Sequence, residues 1–231
     1  MLPVFREHFL FFDPECSTWN IQDSRRDKSV PRGTLDTPVS ACYNQHNTDE
    51  RMEDMSVIKT ERLTLRPLRA EDAGAMYRNW TWDERVARYC RWYPHRSIEE
   101  TKAYLQMCLD QYSDRYDYRW AITLNGGDDE PVGCIDVVWM DEKEKLAEVG
   151  YLLAHDHWNK GYLTEALRAV IEKLFAEGFE TIEAEHHVDN PASGRVMEKC
   201  GMQYVRMSKE QAKYGSEELC DVKWYHIKKE Q

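Results

Sequence analysis

A strand, a glycine-bearing turn and a helix start follow one another between residues 149 and 176, and no other stretch restricts the fold as much. The strand reads Val149-Gly150-Tyr151-Leu152-Leu153, and the turn and helix opening read His157-Trp158-Asn159-Lys160-Gly161-Tyr162-Leu163-Thr164-Glu165-Ala166-Leu167. Leu163, Ala166, Leu167, Val170, Ile171, Leu174 and Phe175 then recur at steps of three and four. That period predicts an amphipathic helix over 164–176, stopped by Gly178. The first N–H groups of a helix lack partners within it and carry partial positive charge, so such a turn can hold phosphate oxygens. Gly161 lets a ligand approach the main chain there without meeting a side chain.

The remaining elements are read around this unit. Arg62-Leu63-Thr64-Leu65-Arg66-Pro67-Leu68 alternates polar and apolar residues and predicts a strand ended by Pro67. Residues 70–80 and 83–90 read as short helices, and Ser97-Ile98-Glu99-Glu100 is a capping box opening a helix to about Tyr112. A hairpin follows, 118–124 and 132–140, turned at Asn125-Gly126-Gly127-Asp128. Strands are expected at 146–153 and 181–187, then a helix capped by Asn190 with Pro191 at its first position and Gly201 after its end. Two strands, 202–208 and 219–228, close the domain. The order gives a mixed α/β sheet with helices on both faces.

Residues 1–54 read differently. After Phe12 they are rich in Asp, Ser, Thr, Asn, Arg and Pro, and are expected to be a poorly ordered extension, with the folded domain over 55–231 from near Met55. The first dozen residues only faintly resemble a secretion signal, since Glu7 and His8 interrupt the apolar part and no small-residue cleavage site follows. A net charge of −11 argues against a nucleic-acid partner. No apolar run is long enough to span a membrane. The cysteines at 16, 42, 90, 108, 134, 200 and 220 are odd in number and lack Cys-x-x-Cys spacing, which suits reduced thiols in a cytoplasm.

Three segments carry a resemblance to a known family: Glu61-Arg62-Leu63-Thr64-Leu65-Arg66-Pro67, Trp158-Asn159-Lys160-Gly161-Tyr162-Leu163-Thr164-Glu165-Ala166, and Asn190-Pro191-Ala192-Ser193-Gly194-Arg195-Val196-Met197-Glu198-Lys199-Cys200-Gly201-Met202. In this order and spacing, over about 58–228, the chain resembles the GNAT acetyltransferase superfamily. Within it, the chain resembles the Rim-type branch that acetylates N-terminal amines of ribosomal proteins. The resemblance implies a central, mostly antiparallel sheet of about seven strands, with a V-shaped splay between the parallel strands 146–153 and 181–187. Acetyl-CoA would lie in that opening as co-substrate. Its pantetheine amides would pair with the strand edge near Leu152 and Leu153, and its pyrophosphate would sit on the turn of Trp158, Asn159, Lys160, Gly161, Tyr162, Leu163 and Thr164. The chain departs from the family pattern at Trp158, where Gln or Arg is usual, at Leu163, where Gly or Ala is usual, and at Met197, where many members place a proton-donating Tyr.

Acetyl transfer from a thioester needs a neutral amine, a donor for the carbonyl oxygen and a proton for the leaving sulfur. With methionine at 197, the resemblance makes Ser193 the candidate acid, against the plainer reading that it bonds near its helix start. Asn190 reads as a plain helix cap, and the resemblance gives it a second candidate role, bonding pantetheine. Glu148 is the candidate base, or else a strand carboxylate paired with a neighbouring cation. His186 and His187 come next, although adjacent strand residues face opposite sides, so at most one meets the site. Trp80, Trp82, Tyr89, Trp92, Tyr93, Trp120 and Trp139, with Asp83, Glu84 and Asp136, are either a box for a cationic amine or simply core. Cys90, Cys108 and Cys134 read as core residues. No metal-ligand spacing is found. The implied activity is acetyl-CoA-dependent N-acetylation of a primary amine, a protein N-terminus or a small cationic amine, by a monomer or homodimer. The alternative is a non-catalytic acyl-CoA-binding module. A nucleotide-binding protein is disfavoured, since Gly-x-x-x-x-Gly-Lys-Ser/Thr and Gly-x-Gly-x-x-Gly are absent.

Overall fold

The computed structural model describes Phe9–Asp13, Thr18–Gln22, 57–112 and 118–230. β1 (Phe9–Asp13) and β2 (Thr18–Gln22) pair antiparallel, Phe9 opposite Gln22. The rest of the expected extension over 1–54, and the domain start at Met55, lie outside the described residues.

The main sheet is built from β3 (Ile58–Lys59), β4 (Leu63–Pro67), β5 (Arg119–Leu124), β6 (Pro131–Asp141), β7 (Leu146–Leu153), β8 (Thr181–His187), β9 (Gln203–Gln211) and β10 (Leu219–Lys228). These lie in the order β3-β4-β5-β6-β7-β8-β10-β9. Eight strands pair, where about seven were expected; the two-residue β3 is one too short for an alternation pattern to reveal. Every pairing is antiparallel except β7 with β8.

That parallel pairing is brief: Leu146, Ala147 and Glu148 stand opposite Thr181, Ile182 and Glu183, and no further. Each strand instead keeps its outer neighbour, β7 with β6 up to Leu153 and β8 with β10 up to His187. The expected V-shaped splay is therefore present. It opens because two strands held on their outer edges diverge with the sheet's twist.

α3 (Ile98–Gln111) is capped by Ser97, whose Oγ accepts the Glu100 N–H at 3.3 Å. The Glu100 carboxylate takes the Arg96 N–H at 2.7 Å, one residue before the expected cap position. α4 (Tyr162–Ala176) buries Ala166, Leu167, Val170, Ile171 and Leu174, most of the stripe read from the sequence. α5 (Pro191–Lys199) begins after Asn190, whose side chain accepts the Ser193 N–H. In place of the one short helix expected over 70–80 stand a 3-10 turn (Ala70–Asp72), the four-residue α1 (Ala73–Met76) and a wide π turn (Tyr77–Thr81). There the Trp82 indole takes the Arg78 carbonyl at 2.9 Å. Of 83–90 only α2 (Glu84–Ala87) is helical. The core runs through both sheet faces, with Trp80, Trp120 and Trp224 its largest fully buried side chains.

Candidate active site

The turn before α4 carries two left-handed residues, Asn159 (φ 60°) and Gly161 (φ 81°), which swing the chain from the end of β7 into the helix. Three other helices spend a side chain on their first turn: Asp83 on α2, Ser97 on α3, Asn190 on α5, whereas the four-residue α1 has none. α4 has glycine at the cap and no side-chain acceptor there. Its first N–H groups, from Tyr162 to Thr164, thus have no capping side chain as acceptor, and the partial positive charge there suits an anion. Leu163 is half-buried and supplies the turn through its main chain, so its bulk does not obstruct the donors.

The turn is tied to the start of β4, a link that local sequence reading missed. The Glu165 carboxylate accepts from Thr60 Oγ1 at 2.6 Å, Arg62 N at 2.8 Å and Arg62 Nε at 2.7 Å. Arg62 Nη1 also donates to the Lys160 carbonyl at 2.9 Å, and its guanidinium lies 4.8 Å from the Tyr162 ring centre. Burial would raise the Glu165 pKa, but these bonds outweigh it and hold the carboxyl below its ordinary range. The only available signal was that Arg62 and Glu165 each sit inside one of the three family segments.

Ala154 N–H donates to Val132 O at 2.8 Å, which fixes the alternation along β7. The peptide groups of Leu152 turn toward Cys134 on β6, while those of Tyr151 and Leu153 turn into the splay. The expected edge at Leu152 and Leu153 is corrected to Tyr151 and Leu153. The Trp158 indole N–H occupies the Leu153 carbonyl at 2.8 Å, so this residue, the turn's departure from Gln or Arg, staples the turn to the strand end.

Ser193 faces the opening from the first turn of α5. Its Oγ lies 3.0 Å from the Tyr151 hydroxyl, which also reaches the Ser193 carbonyl at 3.1 Å. Met197, one turn further on, is fully buried. His186 is buried beneath α5, and a Cβ on Gly194 would stand 2.6 Å from its Nε2. Burial lowers the His186 pKa, and Nδ1 sits 2.8 Å from the His187 carbonyl oxygen. His187, facing the other way, stacks on Tyr89 at 5.2 Å.

Glu148 is 7% exposed and lies on the sheet face opposite Tyr151 and Ser193, so the two candidate catalytic residues approach the splay from different sides. On the Glu148 face Arg119 Nε bonds Asp136 at 3.1 Å, and Arg91 pairs with Glu185. Burial pushes the Tyr214 phenol up, with the charges of Asp136, Glu148 and Glu185 adding to this and that of Arg91 opposing it. Asp83 is spent on capping α2 and pairing Arg85, Glu84 is exposed, and Trp80 and Trp120 are core. Trp82 and Tyr93 are exposed, whereas Trp92 and Trp139 are half-buried. Among the described residues no group of three or more His, Cys, Asp or Glu could hold a metal, and Cys90, Cys108, Cys134, Cys200 and Cys220 are free thiols.

The loop between β9 and β10 closes over this face through Lys213. Its ammonium donates to the carbonyls of Ala87 (2.6 Å), Cys90 (2.7 Å), Trp92 (3.1 Å) and Arg88 (3.4 Å), while Tyr214 N–H bonds Arg91 O at 2.6 Å. Residues 88–92 thus get from a distant lysine the partners that a helix would have given them. Lys213→Met is expected to cost about 1–3 kcal/mol by taking the ammonium donor from the Cys90 and Trp92 carbonyls, read as a lower midpoint in denaturant.

The parallel splay and the uncapped, glycine-led helix at its mouth agree with the acetyltransferase family that the chain matches. The chain is a member of the GNAT acetyltransferase family, whose acetyltransferase (GNAT) domain model matches residues 62–203, more than half of the chain. The chain is 32% identical over 148 residues to the uncharacterized N-acetyltransferase YoaA of Bacillus subtilis, covering 64% of this chain and 82% of that protein. Its fold is shared with RimL, the ribosomal L7/L12 alpha-N-protein acetyltransferase, solved with coenzyme A (TM-score 0.64, 21% identity, 75% of this chain and 98% of that one). It is also shared with the microcin C7 self-immunity acetyltransferase MccE, solved with acetyl-CoA and AMP (TM-score 0.65, 17% identity, 73% and 93%). Among the described residues no helix is long and apolar enough to cross a membrane.

Proposed function

We propose that this chain is an acetyl-CoA-dependent N-acetyltransferase that moves the acetyl group directly from the thioester to a primary amine, either a protein N-terminus or a small cationic amine. The observation that carries the reading is the uncapped start of α4 at left-handed Gly161, directly beyond the splayed edge of β7. The free N–H groups of Tyr162, Leu163 and Thr164 suit a diphosphate, and the edge groups of Tyr151 with the Leu153 N–H suit an amide-bearing arm. Solved relatives of the same fold hold coenzyme A or acetyl-CoA.

In this reading Glu148 takes a proton from the incoming ammonium, and the neutral amine attacks the thioester carbonyl from the Glu148 face. The C–N bond forms, the C–S bond breaks, the acylated nitrogen gives its second proton to solvent, and Ser193 Oγ–H protonates the departing thiolate. The acidic balance of the chain, a net charge of −11, favours a cationic acceptor. We further assign the catalytic unit to 55–231, with 1–54 as an extension, working in the cytoplasm as a monomer or homodimer.

Calorimetry with coenzyme A, together with thiol release measured over a panel of peptides and amines, tests the reading. Ser193→Ala is expected to lower kcat about 100-fold while CoA affinity stays within about threefold. Unchanged kcat removes Ser193 from the chemistry. Met197, which cannot donate a proton, favours the second reading, an acyl-CoA-binding module. Tight CoA binding without turnover of any amine would establish that one.

A further inference from the structure

The Tyr151 hydroxyl touches two atoms of one residue, the carbonyl oxygen and the Oγ of Ser193, at 3.1 and 3.0 Å. A phenol has one proton, so it can satisfy only one of them at a time. While that proton rests on the carbonyl, Ser193 must donate its own to the phenol oxygen, and the serine proton then points away from the splay. If the phenol proton turns to Oγ, the serine O–H is released toward the opening. Both arrangements use the same heavy-atom positions. The rest of Ser193 is fixed, its N–H held by the Asn190 side chain and carbonyl.

We propose that Tyr151 is a positioning residue for Ser193, a hydroxyl rotor that supports the serine oxygen only while sulfur takes its proton. The inference rests on the acetyl-transfer reading above and adds to it the residue that offsets methionine at 197. The balance is closed. One ammonium proton leaves to Glu148, the C–N bond forms as C–S breaks, and the thiolate takes the Ser193 proton; the second proton of the acylated nitrogen passes to solvent, which also takes the one on Glu148 and reprotonates Ser193 once the product thiol has left. Tyr151 keeps its own proton throughout and lends only a hydrogen bond, which strengthens as charge builds on Oγ. Burial pushes its pKa up, which favours the protonated, donating phenol. Because the phenol is neutral and already bonded before reaction, its contribution appears chiefly in the transition state.

The test compares Tyr151→Phe, Ser193→Ala and the double variant in the full chain, measuring kcat, acceptor KM and the Kd of coenzyme A. Tyr151→Phe is expected to lower kcat about 10- to 100-fold, the worth of one charge-assisted hydrogen bond, with Kd and KM within about threefold. The double variant is expected to be no slower than Ser193→Ala alone, because the phenol acts only through the serine. A merely structural tyrosine would slow the Ser193→Ala background as much as the wild type, and that additivity overturns the proposal. So does wild-type kcat in Tyr151→Phe. A wild-type chain that binds coenzyme A yet acetylates nothing overturns the parent reading and this one together. An active chain indifferent to Tyr151→Phe overturns this one alone.

Discussion

Gly161→Val is expected to raise the Kd for coenzyme A roughly 100-fold or more. Two effects combine. Residue 161 holds φ 81°, a region that costs an L-residue about 1–2 kcal/mol and a β-branched one more, so the helix opening must rearrange. The added side chain also stands where a diphosphate must reach the main chain, about 3.4 Å from Arg62 Nη2 by its Cβ alone. Losing two charge-assisted bonds at about 1.5–3 kcal/mol each accounts for at least a 100-fold change. The damage stays local, because Gly161 is exposed and α4 remains anchored by Leu167, Val170 and Leu174. Calorimetry with coenzyme A checks the affinity, and circular dichroism checks that the fold persists. Leu163→Ala is the control, expected to bind within about threefold since only main-chain atoms donate. Native affinity in Gly161→Val would remove the diphosphate from this turn.

How readily this site could be read from sequence follows from the range of each interaction. The β7–turn–α4 unit was legible because its signals are local: an apolar strand, a glycine, and a stripe with helical period. Helix caps are legible for the same reason, since Asn190 and Ser97 each act on a residue three positions away. Contacts across the chain left no such trace. Glu165 meets Arg62 from 103 residues away, Lys213 meets Ala87 from 126, and Tyr151 meets Ser193 from 42. The splay itself came from the family resemblance, since a strand pairing that stops after three residues has no periodic signature.

Arg66 shows the same limit most sharply, and it carries the largest expected effect on stability. The alternation in β4 places Leu63 and Leu65 inward and leaves Arg66 as an outward polar residue, yet Arg66 is only 3% exposed. Its guanidinium grips Asp72 with two bonds, 2.9 and 2.8 Å, and reaches Asp129 Oδ1 at 3.1 Å and the Asp129 carbonyl at 2.8 Å. Asp72, itself 4% exposed, also accepts the Arg69 N–H at 2.7 Å, so the pair joins β4, the turn after it and the β5–β6 loop. Arg66→Met would strand the Asp72 carboxylate in the interior, a loss of about 3–5 kcal/mol, or roughly 10 °C in Tm for a chain of this size. Adding Asp72→Asn removes the stranded charge while keeping an acceptor for Arg69 N–H, so the double variant is expected to melt higher than Arg66→Met alone. Lower melting in the double variant would show that the carboxylate does not depend on Arg66. The pH dependence gives a second check. Burial raises the Asp129 pKa, but its bonds to Arg66 and Arg69 outweigh this and hold it below the ordinary aspartate value of 3.8. A depressed carboxyl stabilises the fold above that value and loses its contribution as pH falls through the lower folded one. Arg66→Met is therefore expected to flatten the wild-type loss of stability below about pH 4, measured by urea denaturation at stepped pH.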